Sequence, residues 1–174
     1  AAAGTNTARS APLHAVVRRP VDLAGGPWPL VLLLHGNHGN CRLPSYDASG
    51  RDVDRDDVCV ITNDGVCRAG ARTPNADGLA YLAETLASHG YVVASVDANA
   101  INCRDAGADG FISHRARLLA EHLRRWRGWS TAGGAPFGQT FAGHVDMARV
   151  GLFGHSRGAE AVAATPELLT DASD

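Results

Sequence analysis

Ser156 sits at the centre of Gly154-His155-Ser156-Arg157-Gly158, between the apolar stretch Val150-Gly151-Leu152-Phe153 and the helix-forming run Ala159-Glu160-Ala161-Val162-Ala163-Ala164. Strand, sharp turn with a serine, then helix is the setting that presents a hydroxyl as a nucleophile. Gly154 and Gly158 leave room for strand and helix to approach the turn, where the serine backbone is strained. Arg157 follows at the helix N-terminus, so its N–H points where negative charge develops on an attacked carbonyl oxygen. Acyl transfer needs a second such donor. The glycine-rich run His35-Gly36-Asn37-His38-Gly39-Asn40, directly after Leu30-Val31-Leu32-Leu33-Leu34, offers backbone N–H groups for it.

The elements that must position these groups follow from hydrophobic pattern. Leu30–Leu34 and Tyr91–Val96 are apolar without alternation, as strands buried on both faces are. Met147 to Phe153 is a third strand, feeding the serine turn, and Leu13 to Arg18 a short one before them. Asp77 is the expected N-cap of a helix from Gly78 to His89, stopped by Gly90. A second helix is expected from about Asp109 to Arg127, with Phe111, Ile112, Leu119, Leu123 and Trp126 on its core face. Trp129 to Gly143 reads as loop anchored by Phe137 and Phe141. Strand and helix in alternation predict an open, mostly parallel sheet flanked by helices, an α/β fold whose strand ends meet on one edge. Asp97, Asn99 and Asn102 fall on that edge, where they either line a pocket or cap the turn.

Composition bounds the function. A chain of 174 residues suits one domain: a flexible leader over 1–12, then a domain over 13–174 with a cysteine-containing insertion at about 41–75. A formal charge of −2 argues against general nucleic-acid binding. Arg115, Arg117, Arg124, Arg125 and Arg127 share a helix with Glu121 and read as a solvated face. No apolar run approaches the ~18 residues of a membrane span, and no signal peptide is visible. The four cysteines, Cys41, Cys59, Cys67 and Cys103, predict disulfides and hence a secreted or extracytoplasmic location. Three pairings are open. Cys59 and Cys67 flank Asn63-Asp64-Gly65, a hairpin-like turn. Asp52-x-Asp54-x-Asp56 opens like a calcium loop, but Asp57 and Asn63 occupy the glycine and glutamate positions, so it reads as a solvated acidic loop.

His-Gly-x-His-Gly at 35–39, Ala87-Ser88-His89-Gly90-Tyr91-Val92-Val93 and Gly154-His155-Ser156-Arg157-Gly158 together resemble the α/β-hydrolases. The match looks like the bacterial α/β-hydrolases related to dienelactone hydrolases and polyester-degrading cutinase-like esterases, over about Leu13 to Leu169. The resemblance implies a serine hydrolase acting on small or polymeric esters, with no cofactor and no metal. Ser156 would be its nucleophile, Arg157 N–H one oxyanion donor and Asn37 N–H the other, with His38 as the alternative. His35 would hold the loop and His155 would point away from the site. In such enzymes the acid and the histidine base follow the serine. All eight histidines of this chain precede residue 156 or lie at 155. The expectation is therefore that acid and base lie in a missing C-terminal segment, a partner without which this chain is inactive. A non-catalytic binding module on the same fold is the alternative, and a base recruited from His38 or His144 a third reading.

Overall fold

Leu30–Leu34 is apolar at every position because helices cover both faces of its strand. In the computed structural model, which describes residues 11–43, 48–50, 55–58, 72–102 and 111–170, the main sheet has four strands. These are β1 (Ala15–Arg18), β2 (Trp28–Leu34), β5 (Val92–Val96) and β6 (Val145–Gly154), in the spatial order β1-β5-β2-β6. β2 pairs in parallel with both β5 and β6, and β1 closes one edge antiparallel to β5. β3 (Cys41–Leu43) and β4 (Arg55–Val58) form a separate antiparallel pair. The fold is mixed α/β, with three α-helices among the described residues: α1 (Ala80–Ser88), α2 (Ile112–Thr131) and α3 (Arg157–Thr170).

Side-chain alternation sorts the two core layers. Leu30, Leu32 and Leu34 of β2 and Val92, Ala94 and Val96 of β5 face α2 and α3, where Leu119, Leu123, Trp126 and Ala161 meet them. Val31, Leu33 and Val93 point the other way, onto Ala83 and Leu86 of α1. Burial on both faces removes the need for polar residues at either parity. β6 is the far edge strand, and its register puts Gly151 and Phe153 beside Val31 and Leu33. Phe153 remains 44% exposed there.

Boundaries differ from those expected in several places, each for a local reason. The first helix starts later, because Asn75–Leu79 forms a 3-10 turn and Asp77 lies inside it without capping through its side chain. Its end is as read: Gly90 adopts φ +88. Gly90 N–H donates to Ala87 O and Tyr91 N–H to Leu86 O, a Schellman closure. α2 continues one turn past Arg127, through Trp129 to Thr131. Trp126 is held there by Phe137 and Phe141, whose rings lie 5.7 and 4.9 Å away. The helix start at Asp109 lies outside the described residues, as do Cys59, Cys67, Cys103, Asp52, Asp54 and the Asn63-Asp64-Gly65 turn. Cys41, the one described cysteine, is buried and is not a free thiol.

The arginine-rich face needs one correction. Arg117, Arg124, Arg125 and Arg127 are exposed, but Arg115 is 1% exposed. Residues 115, 119, 122 and 126 follow one another at helical spacing, so Arg115 and His122 fall on the stripe that faces the core. Among the described residues, no helix is long and apolar enough to cross a membrane.

Candidate active site

β6 ends at Gly154 and α3 begins at Arg157, which leaves two residues to reverse the chain. Ser156 does this with φ +54, in the left-handed region where a side chain costs about 1–2 kcal/mol. Close packing holds it. A Cβ on Gly154 would stand 2.3 Å from Gly158 C and O, and one on Gly158 would stand 2.3 Å from Leu34 O. Both contacts are backbone on backbone, so only glycine fits either position. Gly158 N–H donates to His155 O at 2.9 Å, and His155 N–H donates to Leu34 O at 3.0 Å. The turn is thereby tied to the end of β2. Ser156 is exposed, and no described residue hydrogen-bonds its hydroxyl.

The loop after β2 lies directly against the serine. A Cβ on Gly36 would come 3.0 Å from Ser156 Cβ and 3.2 Å from His155 Nδ1. The next residue, Asn37, and His38 are exposed beside it. Arg157, as the first residue of α3, has one of the N–H groups that a helix leaves unpaired in its first turn. The loop after β2 and the start of α3 therefore meet at one serine. His155 does not turn away as expected: its ring stacks on His38 with centroids 5.8 Å apart.

His35 anchors that loop from beneath. It is 3% exposed, and its Nε2 accepts a 2.9 Å hydrogen bond from Ala98 N–H. Nδ1 must then hold the proton, which it donates to Gly36 O at 2.8 Å. The neutral ring is thus satisfied at both nitrogens, and burial lowers its pKa to about 4.

Behind the loop runs a buried polar network. Arg115 Nη2 donates to Asn102 Oδ1 at 2.5 Å and to Asn37 Oδ1 at 3.3 Å. Asn102 Nδ2 donates to His38 O at 3.0 Å. Asn75 Nδ2 reaches both Gly39 O at 2.8 Å and Asn99 Oδ1 at 2.6 Å. Asn99 Nδ2 donates to Thr73 O at 2.6 Å. Asn99 is 1% exposed, so its side chain holds loops together and does not line a pocket. Asp97 receives Asn99 N–H on Oδ1 and pairs with Arg72 at 2.6 Å through Oδ2. Sequence reasoning passed over Asn75 and placed Arg115 on a solvated face; the helical phase of Arg115 was the one signal against that placement.

One reading of the histidines is removed by position. His144 O accepts Trp28 N–H at the start of β2, one full strand away from Ser156 at the end of β6. A register shift sets the ten residues of β6 against the seven of β2, a span of about 20 Å, so His144 is no base for Ser156. Among the described residues, no group of three metal-binding side chains is assembled. No protein-family model matches the chain, and no curated protein matches it.

Proposed function

We propose that the chain is the nucleophile-bearing part of a serine hydrolase of the α/β-hydrolase type, acting on ester or related acyl substrates. The observation that supports this most is the strained Ser156, φ +54, at a strand-to-helix reversal with the Gly36 backbone packed on its Cβ. In this reading Ser156 Oγ attacks the acyl carbonyl and the N–H groups of Arg157 and Asn37 receive the oxyanion, with His38 N–H as the alternative. The alcohol leaves with a proton, and water then releases the acid from the acyl-serine. The chemistry needs no cofactor. The proton on Ser156 needs a base, and no described residue hydrogen-bonds its hydroxyl. The resemblance puts that histidine and its acid C-terminal to α3. The disulfides expected of the four cysteines, and with them an extracytoplasmic location, belong to the same proposal.

The test is labelling with a fluorophosphonate, read by intact mass, with Ser156→Ala as control and circular dichroism to report folding. One adduct per chain, lost in the variant, supports the hydrolase and means that a base within this chain already activates Ser156. A folded chain that resists labelling is the outcome expected where the base lies C-terminal to α3; resistance that persists once a segment carrying that histidine and acid is supplied argues for a binding module that keeps the fold without the chemistry.

A further inference from the structure

Arg115 lies on the core face of α2, and its guanidinium ends among the side chains that back the Asn37–Gly39 loop. Burying an arginine is costly unless its charge is answered. Here Nε and Nη1 have no partner among the described residues, and no described carboxylate pairs with it. Burial and the charge of Arg157 lower its pKa to about 10, so the side chain stays cationic at neutral pH. What Arg115 does hold is specific. Its Nη2 takes Asn37 through the side-chain oxygen, and it takes His38 through Asn102, whose amide donates to the His38 carbonyl. The two residues are gripped on either side of the peptide that joins them.

We propose that Arg115 is a positioning residue for the oxyanion loop, fixing the Asn37–His38 peptide against Ser156 and setting its positive charge behind it. This rests on reading Asn37 and His38 as the oxyanion donors. The charge acts in the same direction as the donors, since an oxyanion formed in front of the loop is attracted to the guanidinium behind it. The cation matters as well as the shape. Lysine at 115 keeps the charge and can donate to both amide oxygens; methionine fills the space and does neither.

The experiment compares Arg115→Met and Arg115→Lys with the wild-type chain by two readouts. Backbone 15N relaxation reports the loop directly. Order parameters at Asn37, His38 and Gly39 should stay at about 0.85 in wild type and Arg115→Lys and fall below about 0.6 in Arg115→Met. The β5 amides should be unchanged. Asn102→Asp supplies the second test should Arg115→Met not fold. It keeps the arginine paired but removes the donor to His38 O, so it should loosen His38. Where the wild-type chain labels, the maximal rate of fluorophosphonate inactivation should fall at least tenfold in Arg115→Met, with reagent affinity unchanged and lysine restoring the rate. A loop equally rigid in every folded variant overturns the proposal, whatever the labelling shows. A wild-type chain that does not label bears only on where the base of Ser156 lies, because relaxation still decides the role of Arg115.

Discussion

Acidification should unfold this protein through two neutral histidines. His35 and His122 are each 3% exposed, and burial lowers each pKa from 6.5 to about 4. An unfolded chain takes up a proton at each ring as pH falls through 6.5, while the folded chain resists until about 4. Between those values the unfolded state binds more protons, so stability is full above pH 6.5 and is lost on the way down to 4. Each ring contributes a slope of about 1.4 kcal/mol per pH unit, which makes about 2 kcal/mol lost per ring between pH 7 and 4.5. His122 can be separated from His35, because its Nε2 has no partner among the described residues. Leucine there removes an unsatisfied polar atom and a titrating group together, which makes the exchange near neutral or stabilising at pH 7. Urea unfolding at a series of pH values provides the assay. His122→Leu should lose about half of the wild-type pH dependence between 6.5 and 4.5, and be about 2 kcal/mol more stable than wild type at pH 4.5. A variant with the wild-type slope would refute the reasoning, since His122 would then titrate equally in both states.

Three further outcomes follow from the turn and the cysteines. Gly154→Ala and Gly158→Ala each push a methyl to 2.3 Å from backbone that cannot step aside. Each should cost more than about 3 kcal/mol in thermal or urea unfolding, and costs under about 1 kcal/mol would mean the turn packs less tightly than described. Ser156→Gly relieves the left-handed backbone at φ +54, so it should be about 1 kcal/mol more stable than Ser156→Ala; equal stabilities would show no strain at that residue. If all four cysteines pair, the unreduced intact mass should fall about 4 Da below the reduced one. Four thiols alkylated before reduction would remove the case for disulfides and for an oxidising compartment.

Much of the architecture was legible because it is written locally. The apolar runs of β2 and β5 announced strands covered on both sides, and Gly90 announced the end of α1. The serine turn spans five consecutive residues whose types answer to one another over a few ångströms. The long-range polar contacts were not legible. Asn99 could be read equally as pocket wall or turn cap, and what decided was Thr73 and Asn75, 26 and 24 positions earlier. Asp77 looked like a cap because acidic residues favour helix starts, yet the 3-10 turn placed it inside the helical run. His144 and His38 were equal candidates as bases until strand direction put one of them at the opposite end of β6.

By itself, then, the sequence determined the strand–turn–helix at Ser156, the buried parallel strands and the glycine positions, because each depends on neighbours within a few residues. Tertiary structure alone decided which edge each strand takes, that Gly36 rests on Ser156, that His35 is neutral with its proton on Nδ1, and that Arg115 turns inward to the Asn37 loop 78 positions away. Those facts depend on which surfaces meet once the helices close over the sheet. No hydrophobic period or short motif encodes which residues meet across such separations.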